Sequence, residues 1–219
     1  MNNKETYFPY GEKEIFYLGE QDERLKWAMH QIGPIQRVVE PDFFTSITRS
    51  IIGQQISTAA QSSIFNKLVA MVGSLTPQNV VSFTIEQLQS VGMTFRKSEY
   101  IYEIADKINT GVLDPSSFES MSDKEVIDAL TDLKGVGKWT AEMLLIFCFM
   151  RPNIVSYGDL AIIRGIRMLY QLTNVSKKEF DHIVKNYSPY GSVASLYLWA
   201  ISRGTIKELT DPFISSTKK

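Results

Sequence analysis

The 219-residue chain has a single cysteine, Cys148, and only two histidines, His30 and His182. One thiol excludes an internal disulfide, and these three residues cannot complete a Cys/His zinc site or hold an iron–sulfur cluster. No run approaches the roughly 20 apolar residues of a membrane span. The start, Met1-Asn2-Asn3-Lys4-Glu5, lacks the apolar core of a signal peptide. These absences predict a soluble protein of a reducing intracellular compartment: cytoplasm or nucleoid, or nucleus in a eukaryote. Low-complexity stretches are missing too, and 44% hydrophobic with 21% charged residues excludes a disordered chain. Excess charge is also lacking. A formal net charge of −1 excludes coating of nucleic acid by bulk charge, but it leaves room for a local basic surface.

Charge is unevenly spread. Residues 1–42 carry 5 Lys/Arg against 8 Asp/Glu, residues 43–148 carry 8 against 11, and residues 149–219 carry 10 against 5. Positive charge therefore concentrates in the last third.

Strand signals are scarce, whereas apolar residues recur at helical spacing almost throughout, which predicts an all-α protein. After an irregular, aromatic-rich opening (Tyr7-Phe8-Pro9-Tyr10), helices are expected over about 22–32, 43–52, 58–72, 84–90, 93–108, 122–133, 138–149, 160–172, 176–186 and 192–201. Ser57, Thr84, Asp159 and Ser176 stand where N-caps belong, Ser122 with Glu125 reads as a capping box, and Gly73 follows a helix end. The tail after Asp211-Pro212 is expected to fray. A loose internal similarity, Leu88 to Gly92 with Arg96-Lys97 against Leu130 to Gly135 with Lys138, reflects common helix–glycine–helix geometry.

Two features carry potential chemistry. Leu133-Lys134-Gly135-Val136-Gly137-Lys138-Trp139-Thr140-Ala141 lies between two predicted helices. Its glycines allow a tight hairpin whose amides converge at a helix start, an anion site that Lys134 and Lys138 flank. By themselves these residues fit either a phosphodiester site or an ordinary helical corner. About 20 residues on, Asp159 in Ser156-Tyr157-Gly158-Asp159-Leu160 is a helix cap, a catalytic carboxylate, or both.

The hairpin followed by Tyr157-Gly158-Asp159 resembles the helix–hairpin–helix DNA glycosylase superfamily. Ile51-Ile52-Gly53-Gln54-Gln55-Ile56-Ser57, Gly92-Met93-Thr94-Phe95-Arg96-Lys97-Ser98-Glu99-Tyr100 and the segment from Ser192 to Trp199 extend the match. Together these motifs, spanning about residues 20–205, resemble the alkylation-repair branch, DNA-3-methyladenine glycosylase II. The resemblance implies a single catalytic module of two helical lobes with the DNA site in their cleft. One lobe would come from about residues 43–148 and the other from 1–42 plus 149–219, bringing Asp159 across from the hairpin.

It also implies residue roles. Lys134, Gly135, Val136, Gly137, Lys138 and Thr140 form the DNA-binding hairpin, with the amides of residues 136–138 on the phosphate backbone and a monovalent Na+ or K+ at the carbonyls of 133–137. Gln54 and Gln55 enter the duplex, Gln55 as the wedge, where this branch also uses apolar residues; a polar interhelical loop is the bland alternative. Asp159 stabilises an oxocarbenium-like sugar and positions water. Trp139 stands where lyase-competent relatives place a Schiff-base lysine, so hydrolysis alone is expected. Trp139, Trp199, Tyr157 and Tyr190 suit a base pocket with Met143 and Leu160, the last two replacing tyrosines of some relatives. The tryptophans also fit an ordinary amphipathic core. A cationic alkylated purine on an indole gains roughly 0.5–2 kcal/mol. Arg96, Lys97, Arg164 and Arg167 are candidate phosphate contacts. The expected substrate is double-stranded DNA with alkylated purines of the 3-methyladenine or 7-methylguanine type, bound by a monomer without an iron–sulfur cluster. A non-catalytic helix–hairpin–helix DNA-binding protein, a glycosylase for another damaged base and a helical interaction module are the alternatives.

Overall fold

The computed structural model describes residues 5–213; the expectation for the tail falls mostly outside them. In chain order the elements are β1 (Thr6–Tyr7), α1 (Glu12–Gln21), α2 (Glu23–Ile32), β2 (Val38–Val39), α3 (Phe43–Gly53), α4 (Thr58–Val72), α5 (Pro77–Val81), α6 (Ile85–Gln89), α7 (Phe95–Asn109), α8 (Asp123–Thr131), α9 (Lys138–Phe147), α10 (Leu160–Tyr170), α11 (Lys177–Val184) and α12 (Gly191–Ser202). Two compact units result, one from Glu40 to Phe149 and the other from the chain up to Val39 and from Met150.

In the Glu40–Phe149 unit, α3 packs against α4, α7 and α9, while α5 and α6 also lie on α7. Ile47, Ile51 and Ile52 of α3 are buried with Leu68, Ile101, Ile104, Leu144 and Leu145, because apolar residues three and four apart share a helix face. The rings of Phe43, Phe118 and Phe149 close one end of this core at centroid separations of 5.6–5.9 Å.

The other unit is organised on α10 and α12. A Cβ at Gly165 would stand 2.3 Å from the Leu198 carbonyl oxygen, so the two helices approach as closely as they do only because residue 165 has no side chain. Asp22 caps α2 through the Leu25 amide at 2.8 Å and accepts a hydrogen bond from the Tyr170 hydroxyl, which lies 2.7 Å from that of Tyr187.

The caps at Ser57, Thr84, Ser122, Asp159 and Ser176 form as expected. Five elements go beyond the sequence reading. Helix α1 buries only Leu18 and Gly19 of its ten residues, and its start is fixed by the Glu14 carboxylate accepting from the Gly11 amide at 2.8 Å. The pairing of β1 with β2 is antiparallel and two residues long, Thr6 opposite Val39 and Tyr7 opposite Val38. Helix α5 and a 3₁₀ turn at Pro115–Glu119 are each five residues, too short for periodicity to register. Helices α9 and α10 each stop two residues before their expected ends, at Phe147 and at Tyr170, where Gln171 takes a left-handed φ of 55°.

Candidate active site and nucleic-acid interface

The hairpin between α8 and α9 is built by its two apolar residues. Leu133 and Val136 are buried, and the Val136 amide donates to the Leu133 carbonyl at 3.1 Å, closing the turn. Gly135 sits at φ +82° against Tyr100, where a Cβ would fall 2.3 Å from the ring. Gly137 starts α9 without any side-chain cap, which leaves the positive end of the helix to an external acceptor. The Val136 N–H, expected on the phosphate backbone, donates to the Leu133 carbonyl within the turn, and Gly137 and Lys138 head α9. Thr140 is buried behind them.

The flanking lysines are paired. Lys134 Nζ lies 2.7 Å from Glu103 Oε1, and this hydrogen bond, with the carboxylate's charge, raises its pKa. Lys138 Nζ is 3.9 Å from Glu142 Oε1. The carbonyls of Leu133, Gly135 and Gly137 accept from Val136, Gln54 and Ala141, so a monovalent cation at residues 133–137 would share each of these oxygens with an N–H.

The segment after α3 departs from expectation. Gln54, expected to enter the duplex, instead donates from Nε2 to the Gly135 carbonyl at 2.8 Å. Lys97, expected on phosphate, donates from Nζ to the carbonyls of Ile52 at 2.8 Å and Gln54 at 2.6 Å, and burial lowers its pKa. These carbonyls lie at the end of α3, where the intrahelical ladder has run out. Gln55 is the exposed residue of the pair and adopts φ 60°, a left-handed conformation that costs a non-glycine residue about 1–2 kcal/mol. Arg96 is exposed on α7. Trp139 is 48% exposed, and Met143, one turn later, is buried.

The second unit carries the carboxylate. Asp159 is 7% exposed and caps α10, its Oδ1 accepting from the amides of Ala161 at 2.8 Å and Ile162 at 3.0 Å. One residue thus serves as cap and as candidate catalyst. The preceding loop is sewn to α12: Ser192 Oγ donates to the Arg151 carbonyl at 2.5 Å and accepts from the Ile154 amide at 3.0 Å, and Ser195 Oγ donates to the Ile154 carbonyl at 3.0 Å. Ser192 and Ser195 fall in a segment of the sequence match, but this role is not legible there, because nothing local distinguishes them from small residues of an apolar helix.

Of the residues expected in the base pocket, Leu160 is 84% exposed and Trp199 half-buried. Tyr157 packs edge-on to Phe180 at 5.1 Å, and Tyr190 meets Tyr17 edge-on at 5.2 Å. Arg164 is exposed, with Nε 3.7 Å from Asp211 Oδ2. Arg167 is corrected from phosphate contact to structural partner: its Nε and one Nη hold the two Asp211 oxygens at 2.9 and 2.5 Å.

Residues 48–189 match the model of the HhH-GPD superfamily, base excision DNA repair protein. A DNA-3-methyladenine glycosidase from Bacillus halodurans has a similar structure, with a TM-score of 0.84 and 32% identity covering 98% of this chain and 100% of that one. A Schizosaccharomyces pombe 3-methyladenine DNA glycosylase solved in complex with abasic DNA aligns at a TM-score of 0.76 and 26% identity, over 90% and 99% of the two chains. The S. pombe protein named DNA-3-methyladenine glycosylase 1 is 28% identical over 201 residues, 87% of each chain.

Proposed function

Since the chain belongs to the HhH-GPD superfamily of base excision DNA repair proteins, we propose that it is a monofunctional DNA glycosylase for alkylated purines of the 3-methyladenine and 7-methylguanine type. The observation that carries this reading is the buried carboxylate of Asp159, oriented by two amides at the head of α10, in a chain whose relatives bear the name 3-methyladenine glycosylase.

The glycosidic bond is inaccessible inside a stacked duplex, so the damaged nucleotide is first turned out of the helix. The amides of Gly137 and Lys138 hold the backbone, and Gln55 fills the vacated space. An alkylated purine already carries positive charge and leaves as a neutral base with little help from an acid. As the bond from C1′ to the base breaks, the Asp159 carboxylate stabilises positive charge on the sugar. It orients a water whose oxygen bonds to C1′ and takes up the proton released. Trp139 stacks on the cationic base and supplies no amine, so the product keeps its sugar–phosphate backbone intact. The chain works as a monomer on double-stranded DNA.

The test is release of free 3-methyladenine and 7-methylguanine from methylated DNA by the wild type and by Asp159→Asn. Release by the wild type and its loss in the variant are expected. Tight binding of a lesion duplex with no base released by either would identify a non-catalytic DNA-binding protein instead. Release of a different damaged base alone would reassign the substrate.

A further inference from the structure

Four observations within the Glu40–Phe149 unit concern one small region. Lys97 donates to the carbonyls of Ile52 and Gln54. Gln54 donates to the hairpin carbonyl of Gly135. Tyr100, one turn after Lys97 on α7, lies against Gly135 where any side chain would collide with it. Gln55, next in the chain, is exposed and held in a left-handed conformation.

The carbonyls around the end of α3 account for the rest of the geometry. Arg49 O accepts from Gln61 Nε2 at 2.7 Å, Ile51 O from the Gln54 amide at 3.3 Å and Gly53 O from the Ile56 amide at 3.4 Å. Those of Ile52 and Gln54 are taken by Lys97. A lysine is thus the C-terminal cap of α3 where a glycine is common, and cations at a helix C-terminus are favoured by the helix dipole. Glycine would relax the left-handed turn, but here a glutamine occupies it. Such a conformation persists only when its surroundings over-determine it, and residues of this kind concentrate where a side chain must be presented in one direction.

We propose that Lys97 is a positioning residue for base extrusion: it fixes the loop that presents Gln55, and Gln54 ties this loop to the hairpin, so that phosphate grip and stack entry act as one rigid piece. This rests on the glycosylase reading for its biological use, but not for its geometry. Lys97 touches neither sugar nor base; its contribution is to remove the freedom Gln55 would otherwise have when the hairpin closes on a phosphate. A misplacement of about 1 Å suffices to cost on the order of 100-fold in rate.

The test separates extrusion from bond cleavage. Single-turnover release of 7-methylguanine is measured from a duplex in which the lesion faces cytosine and from one in which it is an unpaired bulge. Unstacking is read independently by fluorescence of a 2-aminopurine placed beside the lesion. For Lys97→Met and Gln54→Met, a loss of about tenfold or more is expected on the paired lesion and of less than about threefold on the bulge, with the fluorescence rise diminished. Lys97→Arg, which can still donate to both carbonyls, should restore most of the paired rate. Asp159→Asn should keep the fluorescence rise while releasing no base. Equal losses on paired and bulged lesions, or no loss on the paired lesion, would overturn the proposal. If Lys97→Met does not fold, Gln54→Met and Lys97→Arg decide it by the same comparison. If the wild type releases no base yet unstacks the probe in a Lys97-dependent way, the glycosylase reading fails and the positioning role stands; no unstacking by the wild type overturns the latter.

Discussion

Asp159 caps α10 through one carboxylate oxygen, so a test of its chemistry has to leave the cap in place. Asparagine caps helices about as well as aspartate. Asp159→Asn is therefore expected to change unfolding free energy by less than about 1 kcal/mol in a denaturant titration, while base release falls by about 100-fold or more. A loss of release accompanied by a large loss of stability would point to the cap alone. Trp139 makes a separate prediction. With an indole where a Schiff-base amine would stand, borohydride should trap no covalent protein–DNA adduct during turnover, as gel electrophoresis of the reaction would show. Efficient trapping would assign the chemistry to a lysine elsewhere.

Elements, not single side chains, hold the carboxylate in place. Helix α10 lies on α12 through Gly165, and the loop before α10 is bound to α12 by Ser192 and Ser195. Gly165→Ala puts a methyl group into the Leu198 carbonyl and is expected to cost about 1–3 kcal/mol, read as a lowered melting temperature. A melting temperature equal to that of the wild type would contradict the close approach. The far end of the unit is held electrostatically. The hydrogen bond from Arg167 keeps the Asp211 carboxyl below its ordinary pKa, with Arg164 assisting more weakly. A carboxyl lowered in the folded state stabilises above its ordinary pKa, and that stabilisation is lost as pH falls below about 4 toward the depressed value. Asp211→Asn should therefore be less stable than the wild type at pH 7, by about 1–3 kcal/mol, and the difference in melting temperature should shrink as thermal melts are taken to about pH 3.

At the scale of the molecule, a formal charge of −1 sets the manner in which DNA is bound. The surplus cations of the last third include Arg167, which is neutralised by Asp211, and the hairpin's Lys134, in the middle third, is paired with Glu103. With Arg96 and the more loosely paired Lys138 (3.9 Å from Glu142) and Arg164 (3.7 Å from Asp211) as the remaining candidates, affinity for undamaged duplex should fall with salt at a log–log slope of about −3, reduced by about 1 in Arg96→Ala. A slope near −10 in a binding titration would indicate a far larger basic surface. The same distinction between local and distant partners governs what the chain reveals before it folds. Capping and amphipathic spacing are encoded within a few residues, so most helices, the cap at Asp159 and the glycine turn at 133–137 are legible in the sequence. Motif order makes the family legible as well. Lys97 reads as a phosphate contact from its charge, and Gln54 as a duplex-entering residue from the family resemblance, whereas their partners are 45 and 81 residues away. Sequence by itself determined most of the helices, the hairpin turn and the cap at Asp159, since each follows from neighbours along the chain. Only the tertiary structure decided which polar side chains are spent on carbonyls and which remain exposed, because that depends on helix ends that meet after the chain has packed.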